Sequence, residues 1–177
     1  MDLRETPLEN RIVFRGRIVT VRDDRVALPD GREARREVVE HPGGVAVVAV
    51  TDALDVLTVR QFRYPMGEIL REIPAGKLEP GEDPAACGLR ELREETGYLS
   101  ADFEPLGVLY PSPGVYGEKM YLFLARDLTF VGQQLDDGEF LTVEALPFGT
   151  LTDMILSNEI KDAKTIAGVM MARERIL

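Results

Sequence analysis

Three features of this sequence predict an α/β fold: a mixed β-sheet covered by helices, preceded by a small N-terminal antiparallel β unit. Residues 11–40 are rich in Val, Ile and Arg in partial alternation; residues 45–50 form an almost unbroken β-branched run; and residues 83–96 carry the start, stripe and stop signals of a helix. Strands and helices are interspersed without the regular alternation of a doubly wound sheet, so helices packed on a mixed sheet are the expected architecture.

In the first segment Ile18, Thr20 and Arg22 face one way, Val19 and Val21 the other, and Pro29-Asp30-Gly31 reads as a turn between two such runs. This meander is assigned to a separate unit, residues 1–40, and the main domain to residues 41–177, with His41-Pro42-Gly43-Gly44 as the punctuation between them. The run from Val45 to Val50 reads as a strand buried on both faces, and Val56 to Val59 as a second of the same kind. In the helix Asp83 is the cap, Pro84 suits the first position, Gly97 ends it, and Ala85, Ala86, Leu89 and Leu92 form the apolar stripe. Strands are expected near residues 103–109, 119–125 and 140–145. Two short helices follow Pro147, the second with Ala163, Ile166, Ala167 and Met170 at helical spacing.

Composition narrows the function. The chain has 177 residues, 45% hydrophobic and 29% charged, the balance of a globular protein. Its 21 basic and 31 acidic residues leave a net charge of −10, which argues against wrapping a nucleic-acid polymer. A small anionic ligand is still admissible if a cation helps to bind it. With Cys87 the single cysteine there is no intramolecular disulfide and no multi-cysteine metal site, and any His-dependent nucleophilic device has to pass through His41. No apolar run is long enough to span a bilayer, and the N-terminus lacks the basic and apolar regions of a signal peptide. A reducing cytoplasm is the expected compartment, with no membrane partner.

The chemistry is concentrated in residues 76–98, GKLEPGEDPAACGLRELREETGY. On a helix Glu91 and Glu95, four apart, share a side, and Glu94 is three from Glu91, so three carboxylates crowd into about one turn. Like charges at that spacing repel by roughly 0.2–0.5 kcal/mol per pair. A hard divalent cation reverses the sign, because Mg²⁺ takes oxygen ligands and is commonly shared between carboxylates and substrate phosphates. An acidic helix face is ordinarily just solvated, and Arg90 and Arg93 are available to pair with these acids. What distinguishes this one is the tight loop of Gly76 and Pro80-Gly81 before it, able to present backbone carbonyls to a metal and admit phosphates closely.

This segment resembles the Nudix box: Gly, five residues, Glu, seven residues, Arg-Glu-aliphatic, any, Glu-Glu, any, Gly-aliphatic. Gly76, Glu82, Arg90-Glu91-Leu92, Glu94-Glu95 and Gly97 match it, and Tyr98 is the one departure. Seven exact positions at about 6% each, over all starting points, match by chance on the order of 10⁻⁷. The resemblance implies an α/β/α sandwich and hydrolysis of a nucleoside diphosphate linked to another group, with Mg²⁺, Mn²⁺ or another divalent cation. It implies metal contacts for Glu91, Glu94, Glu95 and the Ala75 carbonyl. Gly76, Glu82, Arg90 and Gly97 are implied as supports of the loop and helix.

The wider chain is similar to the ADP-ribose pyrophosphatase branch, through residues 57–65 and 72–76, Pro113 sixteen residues after Gly97, and Ile160-Lys161-Asp162-Ala163-Lys164-Thr165. That likeness implies cleavage of ADP-ribose to AMP and ribose 5-phosphate in a homodimer. It offers Arg63 as a phosphate ligand and Arg35, Arg36 and Glu37 as substrate contacts, although a solvated strand edge would explain the latter equally. Glu139, in Asp136-Asp137-Gly138-Glu139, resembles the mobile acid that orients or deprotonates the water, with Asp136 or Asp137 as substitutes; Glu94 is the catalytic candidate within the box. Glu95 is expected to be an exposed charge. His41 reads as a turn residue and Cys87 as a small packed one. The alternatives are another diphosphate (a nucleotide sugar, a dinucleoside polyphosphate, NADH) or a non-catalytic nucleotide sensor. The intact glutamates argue against the sensor.

Overall fold

The computed structural model describes residues 2–176. It forms two compact units, one of residues up to 43 with 110–119, the other of residues 44–109 with 120 onward.

The first unit is an antiparallel sheet of β1 (Thr6–Glu9), β2 (Ile12–Arg15), β3 (Thr20–Ala27) and β4 (Glu33–Glu40). β1 and β2 pair in succession with β3, and β4 pairs with the whole of β3. The turn between β3 and β4 is the one expected at Pro29-Asp30-Gly31: Gly31 has φ +85° and its N–H donates to the Leu28 carbonyl (2.9 Å). Asp24 is buried in this sheet, and its carboxylate accepts from Arg22 (3.0 Å) and from the Arg11 amide (3.2 Å). The sequence division after Glu40 gave residues 110–119 to the main domain. They pair instead with β4, where the Val39 amide donates to the Val115 carbonyl and the Gly117 amide to the Val39 carbonyl, both at 2.8 Å.

The second unit contains β5 (Gly44–Ala49), β6 (Asp55–Arg63), β7 (Glu68–Glu72), β8 (Ala75–Lys77), α1 (Pro84–Glu91), a π-helical turn (Leu92–Thr96), β9 (Tyr98–Leu109), β10 (Met120–Phe130), β11 (Leu141–Pro147), α2 (Phe148–Leu156) and α3 (Ala163–Ile176). One sheet is mixed, ordered β8-β5-β10-β9 with β5 and β10 parallel; the other is antiparallel, ordered β11-β6-β7. The short strands β7 and β8 lack a readable apolar period, and the sequence does not announce them.

β5 explains why residues 45–50 are uniformly apolar. Val45, Val47 and Ala49 face a core with Cys87 and Leu92 of the box helix, while Ala46 and Val48 face a core with Leu151 of α2 and Val169 and Ala172 of α3. Helices thus cover both faces, which is the sandwich. α1 starts as expected, with the Asp83 carboxylate accepting from the Ala85 and Ala86 amides (3.0 and 3.1 Å), a cap worth about 1 kcal/mol. The buried stripe differs from expectation. Cys87, Gly88 and Leu92 are buried, Leu89 is only half-buried and Ala86 is exposed. A Cβ on Gly88 would lie 2.8 Å from Phe103 and 3.0 Å from Val45, so this small residue lets the helix lie close to the sheet on that side.

Candidate active site

The box begins on β8 and ends at Gly97. Along it, the helix changes from α to π winding at Leu92, where a continuous α-helix is expected from sequence. Such π turns insert a residue locally and are frequent at functional sites. The Thr96 hydroxyl donates to the Leu92 carbonyl within this turn. The turn carries Glu94 and Glu95 and follows directly on Glu91.

Gly76 lies directly against the Glu91 carboxylate; any Cβ would overlap it. At Gly97 φ is +79° and an added Cβ would be 2.6 Å from the Gln133 nitrogen. Both glycines are therefore demanded by close approach, the second also by its left-handed backbone.

Arg90 is the hub of the box. It donates to Glu82 (3.0 and 3.2 Å), to Glu91 (2.8 Å) and to Glu94 (2.9 Å). Its guanidinium holds the Glu82 carboxyl at about 2, and Glu82 in turn accepts from the Glu79 amide (2.9 Å), closing the loop on the helix.

Glu95 is a correction to the sequence reading: it is only 2% exposed. It lies in the π turn, and its carboxylate accepts from the Ala75 amide at 2.9 Å. Burial raises its pKa from 4.5 to about 8; the Ala75 N–H and the Arg63 charge oppose this, while the charges of Glu91 and Glu139 add to it. Glu91 is also raised, by burial first and by Glu94 and Glu139, against the pull of Arg90.

Among the described residues, no three His, Cys, Asp or Glu side chains converge closely enough to form a metal centre unaided. Arg90 lies across Glu91 and Glu94, and Glu95 is turned onto Ala75. The donor chemistry nevertheless fits a hard divalent cation: carboxylate oxygens only, partly desolvated and mutually repelling, beside the backbone of Ala75 and Gly76.

The acidic segment flanks this site. The Val131 amide donates to the Gly97 carbonyl (2.8 Å), the Gln134 amide to the Glu94 carbonyl (3.1 Å), and the Gln133 side chain to the Glu95 carbonyl (2.6 Å). Beyond these anchors Gly138 has φ +86° and the Glu139 amide closes a turn onto the Asp136 carbonyl (3.1 Å). Glu139 is half-buried and its charge is felt by Glu91 and Glu95, whereas Asp136 and Asp137 are exposed.

Arg63 donates to Glu72 through Nε (2.7 Å) and Nη2 (2.6 Å). Glu72 is 1% exposed, and burial would push it up; Arg63 and Lys164 prevail and hold it below the usual carboxylate range. Sequence reasoning passed over Glu72, Lys164 and Gln133, since each acts on a residue far along the chain. The traces were the runs 72–76 and 160–165, noted without a role for Glu72 or Lys164. Within the first unit, Arg35 pairs with Asp23 and Arg36 with Glu5, and a cavity of about 480 Å³ is lined by Asp23, Arg35, Arg36, Glu37, Gly114 and Val115. His41 accepts from the Gly43 amide (3.1 Å) and meets Glu118 (3.3 Å), closing a turn. Burial, with Glu82 beside it, pushes the Cys87 thiol up to about 12, which removes it as a nucleophile. Among the described residues no helix is long and apolar enough to cross a membrane.

Comparison with known proteins matches the NUDIX domain model to residues 40–169 and that of the nucleoside diphosphate sugar hydrolase N-terminal domain to residues 5–39. A protein of Bacillus subtilis (strain 168) named ADP-ribose pyrophosphatase is 40% identical over 166 residues, covering 93% of this chain and 90% of its own. The methanol dehydrogenase activator of Bacillus methanolicus is 40% identical over 167 residues with the same coverage. A crystal structure of an ADP compounds hydrolase superposes with a TM-score of 0.87 over 99% of this chain and 96% of that one; at 23% identity this likeness speaks for the fold.

Proposed function

The chain belongs to the Nudix family, and from that premise we propose that it hydrolyses ADP-ribose to AMP and ribose 5-phosphate with Mg²⁺ as its cation. Nudix hydrolases work with divalent cations, and Mn²⁺ is the natural substitute here. The observations that support the reading are Glu91 against Gly76 and Glu95 on the Ala75 amide, with Glu94 in the same π turn as Glu95, in a chain 40% identical to a protein named ADP-ribose pyrophosphatase.

Glu91, Glu94, Glu95 and the Ala75 carbonyl would hold the cation. Once bound, it supplies charge neutralisation for the diphosphate and acidifies water for attack on phosphorus. The protein's own groups do the rest. Glu139 takes up a proton from the attacking water, with Glu94 as the box carboxylate assisting. Arg63 contributes positive charge to the diphosphate. Glu82 and Arg90 keep the loop and helix in register.

Arg35, Arg36 and Glu37 are assigned to substrate contact, in a two-fold homodimer formed through the first unit. The exposed Ile12, Phe14 and Ile18 of that unit favour such a partner, and the cytoplasm is the proposed setting. A second reading, a nucleotide-sugar substrate, is favoured by the match of residues 5–39 to the N-terminal domain of nucleoside diphosphate sugar hydrolases. The test is kcat/KM for ADP-ribose, nucleotide sugars, dinucleoside polyphosphates and NADH, with and without Mg²⁺. The highest value is expected for ADP-ribose; a nucleotide sugar exceeding it tenfold would transfer the assignment.

A further inference from the structure

The run 160–165 stood out in the sequence without a function, and its place in the second unit supplies one. Asp162 caps α3, accepting from the Thr165 amide (2.9 Å) and hydroxyl (2.6 Å). The Thr165 hydroxyl, wholly buried, accepts from the Ile73 amide (2.9 Å). Lys164 bonds Asp162 (2.9 Å) and forms an ion pair with Glu72. The first turn of α3 is thus joined to Glu72 at the end of β7 and to Ile73, two residues before Ala75, whose amide holds Glu95.

The cluster holds two cations, Arg63 and Lys164, and two carboxylates, Glu72 and Asp162, with Glu72 shared between both cations. Glu72 is a buried carboxylate bearing two cations, Arg63 and Lys164. Had it Arg63 alone, the two charges would cancel as a closed pair. With Lys164 bridging Glu72 and Asp162, the guanidinium is oriented by two hydrogen bonds while the negative charge of Glu72 is divided between two cations. Arg63 engages Glu72 through Nε and Nη2, so Nη1 takes no part in those two bonds. The mutual influence of Arg63 and Glu95 puts this guanidinium within the field of the box carboxylates.

We propose that Lys164 is a positioning residue for hydrolysis: by sharing Glu72 it holds Arg63 in place and leaves its charge available to the substrate diphosphate. This rests on the functional reading above. A bolt joining α3 to β7 with no part in substrate binding is the competing account, and the two differ in what they do to anion and cation binding. Loss of the Lys164 charge lets Glu72 draw Arg63 in, weakening an anionic substrate. It leaves the carboxylates at least as attractive to a cation. A loosened bolt would displace Ala75 and weaken both.

The experiment compares wild type with Lys164→Met, Lys164→Gln and Lys164→Arg. It reads steady-state kinetics with ADP-ribose at saturating Mg²⁺, Mn²⁺ binding to substrate-free enzyme by electron paramagnetic resonance, and thermal unfolding. Lys164→Met is expected to raise KM about 10-fold with a smaller change in kcat. Its Mn²⁺ dissociation constant should stay within about twofold of wild type or tighten, and Lys164→Arg should recover most of the loss. Lys164→Gln keeps a hydrogen-bond donor for Glu72 without the charge, and it reads the same difference if Lys164→Met does not fold. An unchanged KM in a folded, uncharged variant overturns the inference, as does weakening of KM and Mn²⁺ binding together without rescue by Arg. Wild-type enzyme inert toward ADP-ribose overturns the functional reading and this inference with it; active wild type with an indifferent Lys164→Met overturns the inference alone.

Discussion

Replacing Glu95 by Gln should lower kcat on the order of 10²-fold or more and at the same time stabilise the metal-free protein. Glu95 is 2% exposed, and its folded-state pKa is raised from 4.5 to about 8, chiefly by burial. A carboxyl whose pKa is raised on folding favours the folded state only while protonated. Its contribution is therefore full below about pH 4.5 and is lost as pH rises toward 8. At pH 7 the unfolded chain ionises Glu95 freely and the folded one does not, a difference of about 2.5 units or about 3 kcal/mol. Glutamine keeps the shape and an oxygen for the Ala75 amide but carries no charge. In EDTA, Glu95→Gln should thus melt about 5–10 °C above wild type at pH 7, with the gap closing toward pH 4.5. The assay is thermal unfolding of both proteins across that range, followed by kcat at saturating Mg²⁺, where the variant should lose on the order of 10²-fold or more. Equal melting temperatures at pH 7, or a gap independent of pH, would refute the burial argument; near-normal turnover would refute the metal assignment.

Glu139→Gln should lower kcat on the order of 10²-fold with little change in KM, since its role belongs to the transition state; if Asp136→Asn or Asp137→Asn is the crippled variant instead, the loop is right and the residue wrong. Gly97→Ala forces a side chain into left-handed backbone and to within 2.6 Å of the Gln133 nitrogen, so a loss of about 1–3 kcal/mol is expected in urea unfolding, together with reduced kcat from a displaced acidic segment; wild-type values in both would contradict that packing. Sedimentation at micromolar concentration should show a dimer, and a 19.7 kDa species would count against association through the first unit.

Much of the site was legible because it is local. Asp83, Pro84 and Gly97 delimit the box helix by groups that act within a turn of themselves, and Gly76, Glu82 and Arg90 stand at intervals that any reader of the chain can count. The apolar run of β5 disclosed helices on both faces for the same reason: burial on two sides removes alternation. The stripe on α1 was misjudged because Gly88, which has no hydrophobic side chain to announce it, is where the helix approaches Phe103 and Val45. β7 and β8 escaped because strands of five and three residues hold too few alternations to declare a period.

The sequence alone determined which acids could meet, since helical spacing confines Glu91, Glu94 and Glu95 to one turn whatever surrounds them. Only the tertiary structure decided what each of them is. Glu95 is a buried carboxyl in the π turn, bound to the Ala75 amide twenty residues earlier in the chain. The carbonyls of Glu94 and Glu95 acquired partners in Gln134 and Gln133, and Glu72 acquired Lys164 from 92 residues away. The physical reason is one of range. Backbone geometry is set by neighbours in the chain, whereas desolvation and charge pairing depend on whichever segments pack alongside, and these are chosen by the fold as a whole.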